Sequence, residues 1–226
     1  MNTEIFSRSE ALLGAERMER LRTIRVIIFG VGGVGSACAE ALVRTGLTHL
    51  TIVDYDRVQA SNLNRQIMAT AATIGQAKVQ VLRERLLSIN PEAEIIAREE
   101  KVDGEWLREN GLDNYDFIVD AIDDVSAKTD LIYRATRTRG VKIVCSMGAA
   151  LRLDPTQVRV AELFDVKGDA LAKAVRARLK RLNLKLNKKV RCVYSLEQAQ
   201  LCSERGSIMP VTTVFGCTLA AMVIKG

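Results

Sequence analysis

A chain of 226 residues with 48% apolar and 27% charged side chains holds enough apolar material for one α/β domain with a real core. Aromatic residues make up only 4%, which argues against an aromatic base-stacking surface. The net charge is +6, yet between Lys167 and Arg191 ten Lys/Arg face one acid, Asp169; that segment carries +9, the rest about −3, a distribution suited to a polyanionic partner.

Residues 1–23 are charged throughout and lack a secretory pattern, so they read as a lead-in with a short helix from Ala15 to Leu21. Ile24 to Phe29 is predicted as the first strand, broken by Gly30. Four glycines then fall within six residues, Gly30, Gly32, Gly33 and Gly35, and a small-residue helix runs on to Thr45. Gly30 suits a tight turn, Gly32 and Gly33 let backbone N–H groups approach a ligand, and Gly35 lets the helix pack on its strand. A helix N-terminus behind such a loop is an anion site, most naturally for nucleotide phosphates. Leu50 to Val53 gives a second strand ending at Asp54, an acid 24 residues after the first glycine, which is close to the dinucleotide fingerprint. The glycines alone do not separate ATP from NAD.

The polar stretch Asp54 to Gln66 (DYDRVQASNLNRQ) follows a strand's carboxyl end, where ligands bind in open α/β sheets. Asn62, Asn64, Arg65 and Gln66 can hydrogen-bond phosphate or carboxylate, Arg65 bidentately; a solvated loop is the plainer reading. A helix is predicted over Thr73 to Ile89, with Lys78 in its first turn. A cation there opposes the helix dipole, and catching a phosphate would give it a reason to be present. Strands follow at Glu94–Ala97 and Tyr115–Val119, with a short helix over Gly104–Asn110 between them. The second strand runs into Asp120-Ala121-Ile122-Asp123-Asp124. Three acids opposite a phosphate loop make a place for Mg²⁺, whereas helix capping by Asp124 or Ser126 accounts for one or two of them.

Past the next helix, to Arg139, a strand is predicted over Val141–Cys145, then small residues from Ser146 to Ala150 suited to lining a ligand, and a strand over Thr156–Leu163. Asp169 to Leu182 reads as a helix with Leu171, Val175 and Leu179 on one face and arginines on the other. Asn183 to Arg191 is a basic loop, and residues 192–208 show no pattern and are expected to be mobile. Pro210 to Ile224 is predicted to be a buried closing helix; it falls short of the roughly 18–20 apolar residues of a membrane span, so no stable membrane insertion is expected. The five cysteines (Cys38, Cys145, Cys192, Cys202, Cys217) are scattered without a CxxC pair, which argues against a disulfide framework or a structural zinc and fits a reducing, cytoplasmic location. The lone His49 is expected to be structural.

Taken jointly, GVGGVG, Asp54, SNLNRQ, GQAK and DAIDD, in that order and spacing, resemble the ubiquitin-activating-enzyme-like (ThiF/MoeB/HesA) superfamily over roughly residues 5–163. Phe6-Ser7-Arg8-Ser9-Glu10, the run Ser146 to Ala150 followed by Asp154-Pro155-Thr156, and the basic stretch DALAKAVRARLKR look most like its tRNA threonylcarbamoyladenosine dehydratase branch. The resemblance implies a Rossmann-like doubly wound α/β sheet, mostly parallel. It implies one ATP-binding adenylation domain over residues 1–226, with a lead-in (1–23) and a basic, mobile insertion (164–208).

The same resemblance implies the chemistry. ATP would activate a carboxylate, that of the threonylcarbamoyl group on tRNA adenosine beside the anticodon, and ring closure would release AMP. Asp54 would bind the ribose. The glycines with Asp56, Asn62, Arg65, Gln66 and Lys78 would hold the nucleotide, Asp123 would hold Mg²⁺, and Arg8 would reach the triphosphate of a second subunit in a homodimer. Arg65, Lys78 and Asp123 would form the catalytic set, and Lys173, Arg176, Arg178, Lys180 and Arg181 would touch tRNA. A sulfur-relay (cysteine desulfurase system) protein is a further partner class the resemblance allows. Two alternatives stay open: activation of a sulfur-carrier protein ending in Gly-Gly, which the basic segment and the absent zinc cysteines oppose, and an NAD-binding oxidoreductase or redox module, which leaves SNLNRQ, Lys78 and the Asp120–Asp124 acids without a role.

Overall fold

Alternation along the first strand sets the layering. In β1 (Arg25–Phe29), Val26 and Ile28 pack into one apolar cluster, and Ile27 and Phe29 into another on the opposite face. A strand buried on both faces is what a parallel sheet covered by helices requires. The computed structural model describes residues 4–204 and 206–226. β1 lies in a seven-stranded sheet with β2 (His49–Val53), β3 (Glu94–Arg98), β4 (Phe117–Asp120), β5 (Lys142–Ser146), β6 (Val158–Glu162) and β7 (Arg191–Ser195), in the order β3-β2-β1-β4-β5-β7-β6. Every pairing is parallel except that of β6 with β7.

One face of the sheet is covered by α2 (Ala15–Thr23), α3 (Gly33–Thr45), α4 (Lys78–Ile89) and α8 (Met209–Lys225), through Met18, Leu42, Leu82 and Phe215 among others. The other is covered by α5 (Gly104–Glu109), α6 (Val125–Arg137) and α7 (Ala170–Arg181), through Trp106, Leu131 and Val175. The expected doubly wound α/β architecture is therefore present. The order reverses between β1 and β4, which opens a crevice above their carboxyl ends.

Three features differ from the sequence reading. The helix predicted from Thr73 begins at Lys78, because Gly75 takes a positive φ of 87° and Ala71–Thr73 closes a separate 3-10 turn. The lead-in holds two helices, α1 (Ser7–Leu13) as well as α2. The helix expected over Asp169–Leu182 is present as α7 (Ala170–Arg181), but residues 192–208, read as patternless, supply most of β7, which is hydrogen-bonded between β5 and β6. Cys192, Val193, Tyr194 and Ser195 are buried, so β7 has no polar alternation to betray it.

The closing helix α8 lies tight on α3. A Cβ at Gly216 would come within 2.5 Å of the Val34 carbonyl oxygen and 2.7 Å of the Ala37 side chain, so a glycine is needed for this approach. No helix among the described residues is long and apolar enough to cross a membrane.

Candidate nucleotide site

The glycine loop is shaped by two contacts. Gly30 leaves β1 at φ +82°, a left-handed conformation that favours glycine, and a Cβ there would lie 2.8 Å from the Ala121 carbonyl oxygen. A Cβ at Gly35 would collide with the Gly30 carbonyl oxygen. The first turn of α3 is thus pressed against the end of its strand, with no acidic side chain in that turn and no side-chain cap. Its leading N–H groups lack intrahelical acceptors and carry the positive end of the helix dipole. Gly30, Gly32, Gly33 and Val34 line a cleft of about 710 Å³ at the carboxyl ends of β1, β2, β4 and β5.

Asp54 ends β2 at the same cleft. Its Oδ2 accepts from the Val31 N–H at 2.7 Å and its Oδ1 from the Asp56 N–H at 2.9 Å. Burial pushes its pKa above the usual carboxylate value, against the pull of those two N–H groups and of Lys78. Lys78, 5% exposed at the first position of α4, places Nζ 2.7 Å from Asp56 Oδ2. This ion pair is the reason a cation can sit at a helix N-terminus in the absence of a ligand.

The loop between them is a set of tight local bonds. Asn62 is buried and its Oδ1 accepts from the Gln59 N–H at 3.0 Å, closing a 3-10 turn over Ala60–Asn62. Arg65 Nη1 donates to the Ser61 carbonyl and to Asn64 Oδ1, both at 2.8 Å. Asn64 Nδ2 donates to the Ser207 carbonyl at 2.8 Å, which ties the loop to the approach of α8. Gln66 is buried at the cleft, and among the described residues its Oε1 has no hydrogen-bond partner. A buried acceptor without a partner at a cleft is a ready contact for a ligand donor.

The Asp120–Asp124 acids divide into three different roles. Asp120 is buried, and its Oδ2 takes the Nζ of fully buried Lys128 at 2.7 Å. Asp124 caps α6, accepting from the Ala127 N–H at 2.7 Å. Asp123 and Asp124 are both exposed on the cleft, and of the two Asp123 has no capping role. The expectation of a three-acid cation site is corrected at Asp120, which the buried pair withdraws, while Asp124 spends one oxygen on the cap. Among the described residues no group of three or more His, Cys, Asp or Glu is arranged to hold a metal. A hard cation here would take Asp123, the acid of the three without a capping or buried contact, and its other ligands largely from substrate phosphates and water.

Asp54, Asp56, Asn62, Arg65, Gln66, Lys78 and Asp123 thus line one cleft with the glycines at positions 30, 32 and 33. Gly35 acts from behind as a packing residue. Arg8 is exposed on α1, outside the lining. The five basic candidates of α7 split: Lys173, Lys180 and Arg181 are exposed, whereas Arg176 Nη1 donates to the Leu163 and Val166 carbonyls at 2.8 and 3.0 Å, and Arg178 Nη2 lies 3.5 Å from Asp130 Oδ2. Ser146 to Ala150 do line the cleft, as read from their small size. Ser207, Thr212 and Leu171 line it too, and nothing in their local sequence marks them. None of the five cysteines lines the cleft; Cys38, Cys145 and Cys192 are buried in the core, and burial pushes the Cys38 and Cys145 thiols up. His49 Nδ1 is 2.9 Å from Glu94 Oε2 near the start of β2, away from the cleft.

Comparison with known proteins agrees with this geometry. The ThiF family model matches residues 6–226. The chain is 38% identical over 192 residues to the tRNA threonylcarbamoyladenosine dehydratase of Bacillus subtilis (strain 168), covering 85% of this chain and 74% of that protein. It is 36% identical over 197 residues to the Escherichia coli (strain K12) protein of the same name, covering 85% and 73%. The crystal structure of E. coli tRNA N6-threonylcarbamoyladenosine dehydratase, TcdA, in complex with ATP superposes with a TM-score of 0.91 at 33% identity, over 99% of this chain and 93% of that one.

Proposed function

The chain belongs to the ThiF family, and on that premise we propose that it is an ATP-dependent tRNA threonylcarbamoyladenosine dehydratase. Residues 1–226 act as one adenylation domain. The observation that carries this reading is the gathering of Arg65, Lys78 and Asp123 around the glycine loop in one cleft. A triphosphate with a divalent cation uses all three, whereas an NAD site leaves Asp123 without a cation to hold.

In this reading the N–H groups at the head of α3 hold phosphate oxygens, and Asp54, already fixed by two backbone donors, holds the ribose. Gln66 offers its unpartnered Oε1 to a donor of the nucleotide, and Asn62 keeps the loop at phosphate height. Lys78 is shared between Asp56 and the phosphates. The carboxylate of the threonylcarbamoyl group attacks the α-phosphorus and pyrophosphate leaves; an oxygen or nitrogen of the same group then attacks the activated carbonyl, closes the ring and releases AMP. The sum is loss of one water. Adenylation of this kind needs positioning and charge neutralisation more than an acid or base. Arg65 and Lys78 supply both. Asp123 is the residue that would hold Mg²⁺, whose charge would neutralise phosphate oxygens.

Lys173, Lys180 and Arg181 offer exposed cations on α7 to tRNA phosphates. Arg8, outside its own cleft, serves the triphosphate of a second copy in a homodimer. A cytoplasmic location is in keeping with a tRNA substrate. The test is direct: tRNA bearing threonylcarbamoyladenosine is incubated with the chain, ATP and Mg²⁺, then digested and analysed by mass spectrometry. The dehydrated cyclic nucleoside should form with AMP and pyrophosphate; an unchanged nucleoside with unchanged ATP would contradict the reading.

A further inference from the structure

Asp169 joins two parts of the molecule that the sequence keeps 21 residues apart. Its side chain is buried. Oδ1 accepts from the Ala172 N–H at 2.8 Å and so caps α7. Oδ2 accepts from the Gly148 N–H at 2.9 Å. Gly148 belongs to the small-residue wall of the cleft, which also includes Leu171 from the first turn of α7. A Cβ at Gly148 would come within 3.1 Å of Asp169 Oδ2, so the wall lies directly on the carboxylate. An N-cap needs only one oxygen. The second oxygen makes the carboxylate a clasp.

The helix so clasped is held at two further points. Arg176 stitches it to the Leu163 and Val166 carbonyls of the segment that leads into it, and Arg178 meets Asp130, another residue of the cleft lining, at 3.5 Å. Its outer surface carries Lys173, Lys180 and Arg181. One face of a single helix is thus open to a polyanion, while its N-terminus holds the wall of the cleft.

We propose that Asp169 is a positioning residue that couples RNA lying on α7 to the cleft wall at Gly148, so that docking of the polynucleotide sets the wall against the reacting carboxylate. The inference rests on tRNA being the substrate. It assigns Asp169 no contact with ATP or substrate. Residue 169 acts through the Gly148 backbone, and the change it transmits is a loss of freedom at Ser146–Ala150 when RNA binds.

The experiment compares the full chain with Asp169→Ser, since a serine hydroxyl still caps α7 but is too short to reach Gly148. Amide hydrogen exchange is followed with and without bulk tRNA, alongside turnover of threonylcarbamoyladenosine tRNA. In the unaltered chain RNA should slow exchange both along α7 and at residues 146–150. In Asp169→Ser the slowing along α7 should persist, the slowing at 146–150 should vanish, and kcat should fall at least tenfold with the KM for ATP and the tRNA affinity within twofold. Slowing at 146–150 that survives the substitution, or its absence in the unaltered chain, overturns the clasp. So does a variant in which ATP binding, tRNA binding and kcat fall together, because that is a general loss of structure. No turnover by the unaltered chain counts against the dehydratase reading instead, and the exchange result still decides the clasp.

Discussion

Lys128 Nζ lies 2.7 Å from Asp120 Oδ2, and neither side chain has any exposed surface. The pair sits at the end of β4, and Asp120 Oδ1 also accepts from the Ile122 N–H at 3.1 Å. It therefore holds the turn that presents Asp123 to the cleft. Burial pushes the Asp120 pKa up, and Lys128 opposes that. Of two acids separated by three positions, one is structural and one faces the cleft.

Removing one partner of a buried ion pair leaves the other uncompensated. Lys128→Met should cost about 3–5 kcal/mol, read as a lower denaturation midpoint. Combining it with Asp120→Asn should restore most of the loss, because the neutral amide can still accept from Ile122. A single variant as stable as the parent would contradict the pairing.

A pH dependence follows from Asp54. Its pKa is raised by burial, so the native state holds the proton more tightly than the unfolded chain does. Its contribution to stability is therefore full below the ordinary value of 3.8 and is lost as pH rises through the native value. Asp54→Asn lacks this titration. The stability of the parent relative to the variant should decline as pH increases from 3.8 upward. Equilibrium unfolding at several pH values measures it, and an advantage that grows with pH would contradict the assignment.

Asp123 is exposed and makes no capping or buried contact, unlike its two acidic neighbours. Asp123→Ala should leave the melting temperature unchanged and lower Mg²⁺-dependent turnover by about 10²–10³-fold, the scale of losing one electrostatic group in a closed site. Near-normal turnover would remove the residue from cation binding.

The basic helix separates into two experiments. Neutralising Lys173, Lys180 and Arg181 together should weaken tRNA binding and reduce the slope of log K against log salt by about 2 to 3, as expected for three phosphate contacts. Neutralising Arg176 and Arg178 should instead lower stability, because their partners are the Leu163 and Val166 carbonyls and Asp130. Equal salt slopes for the two variants would return α7 to an ordinary solvated helix.

The sheet and the glycine loop were legible because local rules coincide there: β1 is a continuous apolar run, Gly30 must turn, and Asp54 closes the second strand. β7 was hidden because it is short, buried and preceded by a basic loop, so neither alternation nor a turn signal frames it. Lys128 was invisible for a different reason. In the helix pattern it reads as a surface lysine, and only the fold brings Asp120 beneath it. Lys78 looked unfavourable at a helix start, and the reason, Asp56, lies 22 residues earlier across the loop. Ser207 and Thr212 reach the cleft only because α8 packs back on α3, a contact set by Gly216 that no local motif announces.

Pyrophosphate exchange into ATP tests the central claim most directly. With Mg²⁺ and candidate carboxylates supplied one at a time, exchange should depend on tRNA carrying threonylcarbamoyladenosine and should disappear with unmodified tRNA. Exchange only with a carrier protein ending in Gly-Gly, or tight NAD binding without ATP binding, would contradict it.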